Sequence, residues 1–352
     1  MIPFSENDIA GLADALRTAG FAPSHAAPLL RNYYANHGAI DFSKLNVGPR
    51  VEAWVCSHFS LRQSNVRLRT RSADGTVKLP VGFADGGAVE SVLMPSYRPD
   101  RAAGCVSSQI GCAMGCDFCA STKAGLQRNL SPGEIVDQFL HLKAEAAALG
   151  RRLRSLVFMG MGEPMHNLPN VIAAIRRIAD PAMGALGWRQ ITVSTVGIVP
   201  GIDALAAADL NVHLALSLHA PDDLTRARIV PTNRRYPVAE IMAAARRFAG
   251  RSGRIPTIEY CLLAGVNDSD EQARILASLL GDFRAHVNMI PYNSIGPGLS
   301  GTVYQRPPIE RIACFLATLR QAGVVAHVRD TRGDDVSAAC GQLRGHSVAG
   351  CP

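Results

Sequence analysis

The sequence predicts an α/β protein: a parallel sheet covered by helices, behind a small helical segment and a pair of strands. After residue 100, a strand, a glycine-rich loop and a helix recur six times within about 190 residues. Before residue 100 the pattern differs, with two helix candidates followed by two strand candidates. Of the 352 residues, 47% are hydrophobic and 18% charged, and the mean hydropathy is close to zero. These values exclude a mainly disordered chain and a coiled coil.

Residues 5–38 read as two helices. NDIAGLADALRTAG stops at Gly20 and HAAPLLRNYYANHG stops at Gly38, and glycine is common just past a helix end. Residues 62–94 read as strands: VRLRTR alternates, ADG is a turn, and VESVLMP is the second strand. The repeated strands are GCVSSQ (104–109), SLVFMG (155–160), QITVST (190–195), VHLALSL (212–218), IPTIEYCLL (255–263) and HVNMI (286–290). Each precedes a helix candidate. The best marked is SPGEIVDQFLHLKAEAAALG, where Ser131 can cap, Pro132 suits the first helical position and Glu134 stands three after the cap. Ile135, Phe139 and Leu142 share a face, and Gly150 ends the helix. A last strand, VVAHVRD (324–330), leads into a polar tail. The expected division is a helical accessory domain at 1–60, a strand-pair extension at 61–100, the repeated core at 101–330 and a tail at 331–352. Periodicity does not tell an open sheet from a barrel. In either, ligands bind at the carboxyl ends of the strands.

Thirty-six basic against 29 acidic residues leave a net charge of +7, which suits RNA as a partner without requiring it. Arg62, Arg67, Arg69 and Arg71 form one local group, and Arg151, Arg152 and Arg154 another. Such groups can neutralise phosphates or form an ordinary solvated face. No run approaches the roughly 18 apolar residues of a membrane span. The N-terminus lacks a basic start, an apolar core and a cleavage site, so a cytoplasmic protein with reduced thiols is expected.

Nine cysteines occur, at 56, 105, 112, 116, 119, 261, 314, 340 and 351. Cys112, Cys116 and Cys119 have the spacing C-x3-C-x2-C directly after the first repeated strand. Thiolates bind iron–sulfur clusters and zinc. A structural zinc wants four ligands, and no second close pair lies nearby in the sequence. Three cysteines on one loop can hold three irons of a 4Fe-4S cluster and leave the fourth open. The second repeated strand ends in MGMGEP, where glycines permit close approach and Glu163 can accept hydrogen bonds from an ammonium. The third ends at Ser194 and Thr195, and the fourth at Ser217, Leu218 and His219. His213 and His327 read as ordinary strand histidines.

The C-x3-C-x2-C loop is the motif of the radical S-adenosylmethionine enzymes, and more of the chain carries a narrower resemblance. CVSSQIGCAMGCDFCA, RNLSPGEI, FMGMGEP, ITVSTVGIVP, SLHAPDD, GVND, NMIPYN and DDVSAACGQL occur in this order. Together, over about residues 85 to 345, they resemble the RlmN/Cfr family of radical S-adenosylmethionine RNA methyltransferases. The resemblance implies a partial (β/α)6 barrel. It implies a 4Fe-4S cluster on Cys112, Cys116 and Cys119, with S-adenosylmethionine bound by Gly162, Glu163, Ser194, Ser217, Leu218, His219 and Asn293. Two S-adenosylmethionine molecules would serve each turnover. One would methylate Cys340; the other would be cleaved at the cluster, and its radical would take hydrogen from that S-methyl group. The resulting methylene would add to an adenine, giving a covalent protein–RNA link. Cys105 would then attack the sulfur of Cys340, leaving a disulfide, and Glu90 would remove the proton from the adduct carbon. Glu90 stands two residues further from Cys105 than the family pattern has it. Cys56, Cys261, Cys314 and Cys351 match no functional position and read as structural.

The resemblance further implies ribosomal RNA as substrate, transfer RNA as a second one, an electron donor such as a flavodoxin system, and a monomer away from membranes. GMGEP and SLHAP favour methylation at carbon 2 of an adenine in 23S ribosomal RNA. The alternatives are methylation at carbon 8 and a non-catalytic RNA-binding protein with a structural metal. The target base must leave its stack to reach a buried radical.

Overall fold

The computed structural model describes residues 1–344. Cys351, expected to be structural, and the last residues of the tail lie outside the described residues.

The chain opens with a two-residue strand, β1 (Ile2–Pro3), and helices α1 (Ile9–Thr18) and α2 (Ala26–Ala35). Asp8 caps α1 by accepting from the Gly11 N–H. Gly20 and Gly38, just past the two helices, have φ of +78° and +91°, a region that suits glycine. A third helix, α3 (Pro49–His58), was not expected, although Pro49 at its first position is a start signal. β2 (Phe59–Ser60) then returns beside β1. Phe4, Leu12, Leu30, Tyr33 and Val55 are fully buried and join the same hydrophobic core as the parallel sheet.

The strand pair differs from expectation. VRLRTR is not one strand but two short ones, β3 (Ser64–Val66) and β4 (Thr70–Arg71). Both pair with β5 (Val77–Phe83), where Val66 faces Val81 and Thr70 faces Lys78. Four steps on one side match three on the other, so an extra residue bulges out and breaks the strand. β5 itself was not expected, because Pro80 and Gly82 are residues that strands avoid. A turn then leads to β6 (Ala88–Pro95), which is antiparallel to both β5 and β7 (Arg101–Cys105). The expected VESVLMP strand is therefore the bridge between the extension and the core.

β7 begins the repeat. It ends at Cys105, earlier than the expected strand at 104–109, because Ser107 to Gln109 turn out of the sheet. A small hairpin of β8 (Gln109–Gly111) and β9 (Leu126–Asn129) brackets the cysteine loop. Helix α4 (Pro132–Ala148) has both bonds of the expected capping box, and Ile135, Phe139 and Leu142 are buried. The units continue as β10 (Arg152–Phe158), α5 (Leu168–Ala179), β11 (Ile191–Thr195), α6 (Val199–Ala207) and β12 (His213–Ser217). After α7 (Asp223–Ile229) and α8 (Val238–Ser252) come β13 (Thr257–Leu262), α9 (Asp270–Leu280), β14 (His286–Pro291), α10 (Ile309–Gln321) and β15 (Val325–Val328).

The strands β7, β10, β11, β12, β13, β14 and β15 lie side by side in that order, all parallel. The sheet does not close, yet it curls. Past β15, Arg332 donates to the Pro95 carbonyl (3.0 Å) and the Gly333 N–H donates to Asp74 (2.9 Å), at the other end of the sheet. This is the expected partial (β/α)6 barrel, with β15 as a further parallel strand. No helix among the described residues is long and apolar enough to cross a membrane.

Candidate active site

The carboxyl ends of the parallel strands surround a cavity, and the cysteine loop covers it. The loop geometry is dictated locally. Gly111 has φ of +75°, and a Cβ there would stand 1.8 Å from the Gly125 carbonyl oxygen, so only glycine fits. The Cys112 N–H then donates to that carbonyl (3.1 Å), and the Cys119 N–H to the Cys116 carbonyl (3.1 Å). Cys112, Cys116 and Cys119 all line the cavity. Burial pushes each of these thiols up, that of Cys112 to about 12. A thiol in that state is held as a ligand only when a metal replaces its proton. No three Cys, His, Asp or Glu side chains among the described residues converge on one metal ion. A cluster asks for something else, since each thiolate meets a different iron. Three thiols on one loop are a donor set that fits an iron–sulfur cluster.

Beside the loop, Gly160 and Gly162 lie against Ser107 to Gln109. At Gly162, with φ of +100°, a Cβ would stand 2.8 Å from the Gln109 nitrogen. Gln109 accepts from the Glu163 N–H (2.8 Å) and fixes the start of that segment. The Glu163 carboxylate accepts from the N–H groups of Met165 (3.0 Å) and Val196 (2.9 Å). Burial still pushes its pKa up to about 7. A cation brought next to it would favour the ionised form.

Ser194 and Ser217 hydroxyls lie 3.2 Å apart on the adjacent strands β11 and β12. His219 has φ of +62°, and its Nδ1 accepts from the Cys261 N–H (3.0 Å). That bond leaves the proton of the neutral ring on Nε2. Burial, and then the Arg226 charge, hold the ring neutral with a pKa of about 3. Leu218 is fully buried beside the cavity rather than on its wall; its carbonyl accepts from Arg226 Nε (2.8 Å).

A second cavity adjoins the first. Its walls are alternate residues of facing strands: Val92 and Met94 of β6, Ala103 and Cys105 of β7, Asn288 and Ile290 of β14. Asn293, expected at the cofactor, lines this second cavity. It donates to the Cys340 carbonyl (3.3 Å) and accepts from Arg306 (2.7 Å). Met159, Ile290, Arg329 and Cys340 line both cavities, so they mark the junction.

Long-range bonds put Cys340 there. The Ala120 N–H donates to the Gly341 carbonyl (2.7 Å), and Ser121 Oγ to the Leu343 carbonyl (2.7 Å). The tail is thereby tied to the cysteine loop. Cys105, at the end of β7, is buried, and its thiol is pushed up to about 12 by burial and then by the neighbouring Cys340. Among the described residues every cysteine is a free thiol, so the disulfide implied for the end of a turnover is not formed.

Glu90 lies on β6, two residues before Val92, which faces Cys105 across the ladder. The two therefore share a face of the sheet. The turn at 96–100 joins the two strands, whose pairing runs without a break from Val92↔Cys105 to Pro95↔Ala102. Glu90 is buried but is not on either cavity wall. Its Oε2 accepts from the Arg344 N–H (2.9 Å), and its Oε1 lies 3.4 Å from Lys78 Nζ without a hydrogen bond.

Several site residues escaped the sequence reading. Arg329 lies 3.9 Å from the buried Glu259 and leaves 29% of its side chain open at the junction. Cys261, read as structural, lines the first cavity, and His327, read as an ordinary strand residue, lines the second. Their places at or just past the carboxyl ends of β13 and β15 were the signal for them. Arg62, Arg67, Arg69 and Arg71 lie at the edge strands, with Arg69 paired to Glu145 of α4 (3.0 Å). Arg151, Arg152 and Arg154 lie at the start of β10, the end away from Met159 and Glu163.

A family model described as the radical SAM superfamily matches residues 106–276, which takes in the cysteine loop and the strand ends around the first cavity. A solved radical SAM methyltransferase from Sphaerobacter thermophilus superposes with a TM-score of 0.91 at 40% identity, covering 98% of this chain and 99% of that one. Fold and site together define a radical S-adenosylmethionine enzyme. Such enzymes carry a cluster and S-adenosylmethionine, and the cavity beneath the loop has the thiols for the first. The chain is 53% identical to the "Probable dual-specificity RNA methyltransferase RlmN 1" of Opitutus terrae, over 97% of this chain and 96% of that protein. It is 42% identical to the RlmN relative of Thermosynechococcus vestitus over 92% of each. The chain belongs to the RlmN family.

Proposed function

We propose that this chain methylates carbon 2 of an adenine in 23S ribosomal RNA, with transfer RNA as a second substrate, by way of a methyl group carried on Cys340. The observation that carries the reading is the position of Cys340, which lines both cavities. Its relatives are named as RNA methyltransferases. Cys112, Cys116 and Cys119 would hold a 4Fe-4S cluster, and Gly162, Glu163, Ser194, Ser217 and the Leu218–His219 turn would hold S-adenosylmethionine. Bound there, twice per turnover, S-adenosylmethionine supplies a methyl group and then a hydrogen-abstracting radical.

The chain's own residues do the rest. Glu163 offers a carboxylate to an ammonium, and His219 offers an Nε2–H donor. The Cys340 thiol loses its proton and forms a bond to the methyl carbon. That carbon, stripped of one hydrogen, bonds to the adenine in the second cavity, so the RNA is tethered to the protein. The adduct gives up its unpaired electron, which the oxidised cluster would accept, and Glu90 takes the proton from the adenine carbon. Cys105 faces the same cavity, and its sulfur attacks that of Cys340. An S–S bond forms, the S–C bond breaks with its electron pair left on the methylene carbon, that carbon takes up a proton, and the methylated base leaves. An external reductant, such as a flavodoxin system, restores the thiols and reduces the cluster. The enzyme works as a cytoplasmic monomer.

Mass spectrometry of nucleosides from ribosomal and transfer RNA of a strain lacking the gene tests the reading. Loss of 2-methyladenosine, restored by the wild-type gene and not by Cys340→Ala, is expected. Loss of 8-methyladenosine instead would assign carbon 8, and no change in either would overturn the proposal.

A further inference from the structure

We propose that Tyr97 and Arg332 form a platform at the rim of the second cavity, on which a nucleobase next to the target adenine stacks. This rests on the RNA methyltransferase reading above. Tyr97 lies in the turn between β6 and β7. It is the most exposed large apolar side chain among the described residues, at 89%. It nevertheless lines the second cavity, whose deeper wall holds Cys105 and Cys340.

The ring is not left loose. Its hydroxyl donates to Asp330 Oδ2 (3.3 Å). The Arg332 guanidinium carbon stands 5.7 Å from the ring centroid, and Arg332 is itself anchored to the Pro95 carbonyl. Both braces come from the segment that follows β15. The turn and that segment together present an aromatic face whose other side is open to solvent. A braced, open aromatic ring beside a guanidinium is the arrangement on which single-stranded bases stack, whatever their sequence.

Depth decides which base it meets. The reacting adenine must reach the sulfur atoms of Cys105 and Cys340, which lie inside. A side chain that is 89% exposed is at the entrance, so it meets a neighbour of that adenine. Extruding the target breaks the neighbour's stack, and an aromatic ring at the rim replaces it. The charge around the rim fits the phosphates that follow. Arg332 lines the cavity beside the ring, and the exposed Arg98 follows Tyr97 in the turn.

The test uses the cluster-loaded enzyme and a short RNA hairpin with an unpaired target adenine. Tyr97→Trp places an indole on the platform, and subtracting the wild-type signal removes Trp54 and Trp188. Fluorescence quenching that saturates with RNA is expected. Tyr97→Ala should weaken RNA binding about tenfold, and Tyr97→Phe less than twofold, since the ring does the stacking. Iron–sulfur absorbance and melting temperature show that each variant is folded. Wild-type affinity in Tyr97→Ala, or an unquenched indole with RNA bound, would overturn the platform. A wild-type enzyme that neither binds nor methylates RNA would sink the methyltransferase reading, and the platform with it.

Discussion

Release of the methylated RNA should be limited by ionisation of Cys105. Burial and the adjacent Cys340 lift its thiol from 9.0 to about 12. Three pKa units amount to about 4 kcal/mol against the thiolate. The attacking species in disulfide exchange is the thiolate; in the adduct Cys340 is a thioether, so burial is what keeps the Cys105 thiol up and its thiolate scarce near neutral pH. Each unit of pH should then speed release about tenfold, with no plateau between pH 7 and 9. Arg329, at the junction, is the cation that favours the charged sulfur. Arg329→Gln should therefore slow release further while leaving the slope near one. The assay is a single-turnover reaction stopped at intervals and run on a denaturing gel, where the protein–RNA adduct migrates slowly and is destroyed by nuclease. Cys105→Ala gives the reference in which the adduct persists. Adduct decay that ignores pH, or that levels off below pH 8, would refute the reasoning that a buried thiol limits this step. A Cys105→Ala enzyme that turns over normally would refute the role of Cys105 altogether.

Replacing Cys112, Cys116 or Cys119 by alanine should remove the iron–sulfur absorbance and reductive cleavage of S-adenosylmethionine together; retention of both would end the cluster assignment. Gly162→Ala should destabilise the fold by about 1–3 kcal/mol, because its backbone is left-handed and the new Cβ meets the Gln109 nitrogen. Urea unfolding reads this, and an unchanged midpoint would contradict it. Lys78→Met leaves the buried Glu90 carboxylate without its ion pair and should cost about 3–5 kcal/mol, most of it recovered in Lys78→Met with Glu90→Gln. A double variant no better than the single one would show that the pair is not what holds this site together. Cys340→Ala should form no RNA adduct, and an adduct in that variant would remove Cys340 from the reaction.

Short-range patterns in the sequence determined much of this protein. A serine, proline and glutamate within four positions set the start of α4, and the capping box formed as read. The spacing of Cys112, Cys116 and Cys119, together with Gly111, set the loop. The repeat of strand, loop and helix set the parallel order, because consecutive units lie side by side. These features depend on steric limits and hydrogen bonds among neighbours, so local residues suffice to specify them. β5 escaped because Pro80 and Gly82 argue locally against a strand, while its neighbours on both sides supply the pairing. The tertiary structure alone decided the rest. It put Cys340 at the junction through bonds such as that from Ser121 to the Leu343 carbonyl, across 222 positions. It put Asn293 on the wall of the second cavity, joined Arg329 to Glu259 and brought Tyr97 against the segment after β15. The contact of Tyr97 with Asp330 spans the curl of the sheet. How far a sheet curls is set by the packing of all its helices together, and no short stretch of sequence carries that information.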